Sequence, residues 1–318
     1  MEKSFRLGAT MISRRSFIKI ATPLVLGFPA LAKTQTAVQR RKFNDDDLPA
    51  AREQLLNLIN ADRLKAGLSQ LQLDALANKV ATEHAQDMAR GQFMSHWGSD
   101  GRKPYHRFAF AGGTDAVQEN ASAATNIQSL TPEGIFEDLR DMHASMMAEL
   151  PPRDGHRKTI LDPFHTHVGF GLGFNGYNLR LDELFLARYV LLDRIPREAK
   201  PDSIVAVQGR MINANHFLNE VDVFFEPLPA PPEIDWLRSP RAVSLPEDYI
   251  QLRPRALPGT RYSDGAPGDF DWERGGRFRA PVKLDKGPGI YTIVLFVRRV
   301  PSDRGFPGAM VCIESPKP

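Results

Sequence analysis

Gly155-His156-Arg157, running through Ile160-Leu161-Asp162-Pro163 to Val168-Gly169-Phe170-Gly171-Leu172, is the stretch whose reading decides the fold. Val168, Phe170 and Leu172 alternate as a strand with one apolar face. Asn175-Gly176 is a hairpin turn into Tyr177–Leu181, and Glu183–Leu192 reads as a further strand. Upstream of His156 the period changes from two to about 3.6, so helices precede the strands. Helices on both faces of a small antiparallel sheet follow from that order.

Three helices are expected. Asp47 is placed to cap the first, which carries Leu55, Leu56 and Ile59 as its buried stripe and stops at Gly67 after Ala66. Asp74 opens the second, with Leu76, Val80, His84 and Met88 on one face and Gly91 at its end. His84 on that apolar face reads as a core histidine with one hydrogen bond, ahead of a ligand. Thr131 caps the third, Pro132 fills its first turn, and Ile135, Leu139, Met142 and Met146 form its stripe. Continuing that rotation lands on Glu149, a carboxylate that needs a partner or a cation if it is buried. The alternative is that the helix frays before Pro151-Pro152 and Glu149 points to solvent. His143 lies at the edge of the same stripe as a rival ligand.

The chemistry gathers in one region: Ser95-His96, Gln118-Glu119-Asn120, Glu149 and Gly155-His156-Arg157. Two imidazoles and two carboxylates suit a divalent metal or a polar catalytic cavity. They suit equally a self-satisfied hydrogen-bonded network. His165-Thr166-His167 points its rings to opposite sides of a strand, so a joint ligand pair is not expected there. Asp264, Asp269, Asp271 and Glu273 crowd a Gly-rich stretch, where turn chemistry competes with calcium binding. No His-Glu-x-x-His helix, Gly-x-Ser-x-Gly elbow or phosphate-binding glycine loop occurs.

His84-Ala85 with Met88-Ala89 before Ser95-His96, the Gln-Glu-Asn triplet, and the run from Gly155-His156-Arg157 to Gly171 resemble the bacterial branch of the CAP superfamily. That superfamily groups cysteine-rich secretory proteins, antigen 5 and plant pathogenesis-related proteins. The resemblance covers roughly residues 50 to 192. It implies an α-β-α sandwich and a cavity in which His96 is the first histidine, Glu119 the acid of the triplet and His156 the histidine of the Gly-His motif. Glu149 falls at the position of a second acid. Together these imply a cavity of His96, Glu119, Glu149 and His156, with His96, His156 and Glu119 as metal ligands and zinc as the first metal to try.

Residues 1–32 read as an address. Ser13-Arg14-Arg15-Ser16-Phe17-Ile18-Lys19 is a twin-arginine export signature, followed by an apolar run and by Ala30-Leu31-Ala32 at a cleavage point. The run is short and broken by Pro23 and Pro29, which argues against a membrane-spanning anchor. Removing it leaves 36 basic against 37 acidic side chains, a net charge of −1 where the full chain has +3. No nucleic-acid footprint survives. The lone Cys312 allows no intrachain disulfide and reads as a small buried hydrophobe.

Composition changes near residue 195. After Lys200 come 16 of the 25 prolines, with short β-type runs and no helix pattern. The expected organisation is a flexible lead-in over 33–46, a CAP domain over 47–194 and a small all-β sandwich over 200–318. Its strands are read at Ser203–Met211, Val221–Pro227 and Ile290–Arg298. Gly287-Pro288-Gly289-Ile290-Tyr291 resembles the tyrosine corner of immunoglobulin-like sandwiches. The fold class is therefore α+β. Two functions are expected to compete. The first is an exported, periplasmic or secreted binding module for a lipid-like or peptide ligand or a cell-envelope partner. The second is a metal-dependent hydrolase of an envelope peptide or cell-wall substrate, with Glu119 or Glu149 as general base.

Overall fold

Asp47 shows how local chemistry sets the first element. The computed structural model describes residues 41–317 except 257, 274–275 and 301–303. The expected export signal, and the lead-in up to residue 40, lie outside the described residues. Helix α1 spans Leu48–Lys65, yet Asp47 does not cap it. Its carboxylate accepts from the Asn44 backbone N–H at 3.0 Å and from both terminal nitrogens of Arg41 at 2.5–2.6 Å. It thereby closes the 3-10 turn that precedes α1. The expected stop holds: Gly67 takes the left-handed φ of +73° just past the helix.

Helix α2 (Ala75–Gly91) is capped as expected, Asp74 accepting from the Ala77 N–H at 2.8 Å. Its left-handed exit falls on Gln92 rather than Gly91. After the short helix α3 (Pro104–Phe110), strand β2 (Ala116–Ala124) leads to α4 (Pro132–Met147) and α5 (Gly155–Ile160). Thr131 caps α4 through the Gly134 N–H.

Strands β3 (His167–Asn175) and β4 (Asn178–Ala187) form the hairpin. Asn175 pairs with Asn178, so the loop is Gly176-Tyr177, one residue beyond the expected turn. The expected break between Leu181 and Glu183 does not occur; β4 runs unbroken to Ala187. With β1 (Gln72–Leu73) these strands make a four-stranded sheet in the order β1-β3-β4-β2, parallel only between β1 and β3. Helix α2 packs on one face and α1 with α4 on the other. The second layer is held by Leu55, Ile59, Ile135, Leu139, Phe170, Leu172 and Phe185, all nearly fully buried.

The glycines of β3 explain how closely α2 approaches. Gly169, Gly171 and Gly173 face Ala77, Ala81 and Ala85, and a Cβ at any of them would collide with the helix backbone. Glycine on a strand meeting alanine at i, i+4 spacing on a helix lets backbone meet backbone. Gly171→Ala is expected to cost about 1–3 kcal/mol by denaturant unfolding. A change under a few tenths would show that α2 can lift without penalty.

The second half is two packed antiparallel sheets. One has the order β5-β6-β10-β9: β5 (Val190–Leu192), β6 (Ile204–Met211), β10 (Arg277–Lys283) and β9 (Asp271–Trp272). The other has the order β12-β11-β7-β8: β12 (Phe306–Ser315), β11 (Gly289–Arg298), β7 (Phe217–Glu226) and β8 (Tyr249–Leu252). Val207, Ala280 and Val282 from the first meet Val221, Ile293, Leu295 and Val311 from the second. The chain passes between the halves at residues 188–189, because Val190–Leu192 pairs with β6. A four-residue helix, α6 (Ile234–Leu237), occurs where no helix pattern is read. Tyr291 closes its own corner, its hydroxyl accepting from the Lys286 N–H at 2.6 Å and donating to the Gly287 carbonyl at 3.1 Å.

A third cluster joins the halves. Tyr105, Ala109, Ala116 and Ala187 pack on Phe224, Ile290, Val294, Met310 and Cys312. Cys312 is fully buried, and burial pushes its thiol up to about 12, as fits a small core hydrophobe. Among the described residues no helix is long and apolar enough to cross a membrane.

Candidate functional site

Strand β2 lies at the edge of its sheet, and successive residues on it face opposite layers. Glu119 therefore faces the α2–α3 side, while Asn120 faces the α4–α5 side. This one alternation organises the site.

On the first side, His96 arrives from the loop after α2, and its Nδ1 lies 2.9 Å from Glu119 Oε1. The second oxygen of Glu119 accepts from Arg107 on α3. Arg107 also donates to the His96 carbonyl at 2.8 Å and the Arg102 carbonyl at 2.9 Å. The His96 loop, α3 and β2 are thus tied by one guanidinium. His84 stands behind, its Nε2 donating to the Ser95 carbonyl at 2.8 Å and 4.0 Å from Glu119 Oε1. Asp182 on β4 completes the group, with donor atoms of His84, Glu119 and Asp182 all within 4.8 Å of one another.

The charges sort themselves. Burial pushes Glu119 up, but the Arg107 guanidinium, with His84 and His96 beside it, outweighs that and holds the carboxyl well below the usual carboxylate range. Burial, and then the Glu119 charge, raise Asp182 well above its ordinary value. Neither Asp182 oxygen has a hydrogen-bond partner by distance and angle. Burial and Arg107 lower His84 to about 4, leaving it neutral.

On the other side, the Asn120 amide donates to Glu183 Oε2 at 3.1 Å and to the His156 carbonyl at 3.3 Å. His156 begins α5, and its ring Nδ1 lies 2.5 Å from Glu149 Oε1. Glu149 Oε2 accepts the His156 backbone N–H at 3.0 Å. Helix α4 does end before Glu149, at Met147, but the carboxylate turns back to its histidine instead of facing solvent. Burial raises Glu183 to about 7 against the Asn120 hydrogen bond.

The four expected cavity residues thus form two His–Glu pairs, His96 with Glu119 and His156 with Glu149. His96, Glu119 and His156 do not form one three-donor cluster; among the described residues the cluster is His84, Glu119 and Asp182. The opposite facing of Glu119 and Asn120 is the reason. That buried cluster does not suit a divalent ion, because the His84 Nε2 proton faces Ser95 and Arg107 already neutralises Glu119. The paired imidazoles suit one better. Each has its Nδ1 beside a carboxylate, and neither Nε2 has a hydrogen-bond partner among the described residues. A carboxylate fixing one ring nitrogen while the other is left to ligate is the usual support of a metal-binding histidine.

Arg107, Asp182 and Glu183 escape the sequence reading. Asp182-Glu183 carried a signal: two successive acids inside a strand with helices on both faces must both be buried. The rival His143 pairs with Asp62 at 2.9 Å, tying α4 to α1 away from the site. His165 is buried, bonded to the Thr159 carbonyl at 3.0 Å, and His167 meets Thr166 and Arg188 instead. Asp264, Asp269 and Asp271 serve Arg253, Arg255 and the turn backbone.

Residues 56–189 match the family described as CAP: Cysteine-rich secretory protein family. The Bacillus subtilis (strain 168) protein named Uncharacterized protein YkwD is 31% identical over 123 residues, which is 38% of this chain and 42% of that protein. The chain thus spans less than half the length of that curated relative. Among solved structures, an outer surface protein from Borrelia burgdorferi is similar over 46% of this chain and 98% of its own, at 17% identity and a TM-score of 0.37. The CAP domain of Enterococcal PrgA is similar over 46% of this chain and 63% of its own, at 19% identity and a TM-score of 0.33. At TM-scores this low the likeness decides neither fold nor function. The segment from 56 to 189 that matches this family holds both His–Glu pairs.

Proposed function

We propose that this is an exported protein of the cell envelope whose CAP domain is a binding module for a lipid-like or peptide ligand or an envelope partner. The observation that carries this reading is the state of the two imidazoles. Each is fixed through Nδ1 by a carboxylate, and each is part-exposed with Nε2 unclaimed among the described residues. Side chains locked in orientation at a surface lower the entropy cost of holding a ligand. A hydrolase reading fares worse, because both expected bases are engaged: Glu119 is buried, held low and bonded through both oxygens, and Glu149 is bonded through both oxygens to His156. Export through the twin-arginine route belongs to the same reading, with the CAP domain expected over 47–194 ending instead at residues 188–189 and an immunoglobulin-like module following from Val190. It is supported by the ordered cassette from Ser13 to Ala32 and the self-closed corner at Tyr291.

Zinc is the first cation to try, with His96 Nε2 and His156 Nε2 as separate candidate ligands, each ring oriented by its own carboxylate, Glu119 or Glu149. At a hundredfold excess over its dissociation constant it is expected to stabilise the protein by about 2.7 kcal/mol, if only the native state binds. Binding should weaken on acidification, because a ligating imidazole must be neutral. His156→Ala should reduce the shift, and His165→Ala should leave it intact. A melting temperature indifferent to zinc would leave the pairs as a structural network.

A further inference from the structure

Between β7 and β8 the chain leaves the sandwich and crosses the CAP domain over residues 227–248. Leu237 enters a packed cluster with Met88, Phe93 and Ala121, all at most 6% exposed. Arg238 donates to the Gln92 carbonyl at 3.4 Å, and Lys103 and Tyr105 reach the Ser244 carbonyl at 3.4 and 3.5 Å. The segment therefore clamps the loop that carries His96. Beside His96, Trp97 meets Trp236 edge to face, with centroids 5.1 Å apart and an interplanar angle of 82°. Trp236 is 37% exposed, and Ile234 next to it 39%. The Arg241 guanidinium lies over Trp236 at 4.5 Å.

The surrounding charges are nearly all spent. Arg90 pairs with Asp87, Arg102 with Asp100 and Arg238 with Asp235. Arg241 has no ion-pair or hydrogen-bond partner among the described residues. A stacked guanidinium keeps its planar fork of donors and suits a carboxylate or phosphate. The floor beneath Trp97 is filled by Met88, Phe93, Ala121 and Leu237, so a ligand lies across the surface there and does not insert. A flat body with an apolar face, polar edges and a negative group matches these terms. A pyranose ring bearing an acid has that shape, whereas an acyl chain needs a channel.

We propose that Trp97, Trp236 and Arg241 form a platform for an acidic glycan, built jointly by the CAP domain and the strap from the sandwich. This names the envelope partner of the reading above and rests on it. One tryptophan ring takes the apolar face of the sugar and the other, standing at 82° to it, forms a side wall. Arg241 reads its acid. The sandwich thereby gains a role in recognition, as the source of one of the two aromatic walls.

The probes are hexameric oligogalacturonate, which is acidic, and chitohexaose, which is neutral, titrated into the chain from Lys33 onward by calorimetry and tryptophan fluorescence. The wild type should bind the acidic oligomer more tightly. Trp236→Ala should weaken it about tenfold or more, and Arg241→Gln should erase the preference for acid while leaving neutral binding. Circular dichroism and the zinc response of both variants report whether the CAP domain is intact. Zinc stabilisation surviving in Trp236→Ala while sugar binding is lost separates this platform from the histidine pairs. The proposal is overturned if neither oligomer binds the wild type, or if Trp236→Ala binds as the wild type does. Capture of phosphatidylglycerol vesicles through these residues, with no oligosaccharide bound, overturns it too. A wild type blind to zinc but binding the acidic oligomer would sink the histidine reading alone.

Discussion

Arg107→Met is expected to destabilise the protein by about 3–5 kcal/mol, the usual cost of leaving one partner of a buried ion pair behind. The Arg107 side chain is 12% exposed and that of Glu119 is fully covered. Methionine replaces the aliphatic stem but supplies no charge. Three acceptors then lose a donor, Glu119, the His96 carbonyl and the Arg102 carbonyl, although Glu119 keeps His96 and the Arg102 carbonyl keeps the Gly98 N–H. Adding Glu119→Gln should recover part of the loss, since the uncompensated charge is gone, and a double-mutant cycle would read the coupling. The pH dependence has a definite sign. A carboxyl held low in the folded state contributes stability that is present above its unfolded value and lost as pH falls through its folded one. The Arg107→Met variant should therefore lose less stability on acidification than the wild type. Denaturant unfolding at pH 7 showing a loss below about 1 kcal/mol would overturn this account of Glu119.

Glu183→Gln should act in the opposite direction. Glu183 is fully buried, its Oε1 lacks a partner, and burial raises it from 4.5 to about 7. A carboxyl raised in the folded state contributes stability that is fully present below its unfolded value and lost as pH rises through its folded one. At 1.36 kcal/mol per unit, that loss between about pH 4 and pH 8 is about 3 kcal/mol. Glutamine cannot ionise, and its carbonyl can still accept from Asn120. The variant should match the wild type near pH 4 and exceed it near pH 8. A difference between the two that does not change with pH would show that Glu183 ionises without cost. Asp182, raised by burial and the Glu119 charge, adds a term of the same sign, so Asp182→Asn is the companion measurement.

The site itself was legible only in part. Ser95-His96 and Gly155-His156-Arg157 stand out as residues, but nothing in them says that each histidine meets its own carboxylate. Glu149 shows the difficulty. Helical rotation places it on a buried stripe and Pro151-Pro152 argues that the helix ends first. The helix does end first, and the carboxylate still turns inward, because His156 presents two donors to it. Asp47 shows the same limit at shorter range: it has the right residue type for a cap, and Arg41 and Asn44 claim it first.

What the amino-acid order determined by itself is the set of features written within a few residues. The periodicity of α2 and α4, their caps at Asp74 and Thr131, the glycine-spaced strand β3 and the corner at Tyr291 depend on backbone sterics and on partners one turn away. The tertiary structure decided everything that depends on which residues meet across the chain. Arg107 is one basic side chain among 41 until folding sets it against Glu119. Asp182 and Glu183 are ordinary acids until helices cover both faces of β4. Leu237 and Trp236 lie in a proline-rich connection until the strap carries them to Phe93 and Trp97. Local sequence sets the energy of a turn or a helix end, whereas burial, and with it the cost of a charge, exists only once distant segments exclude water together.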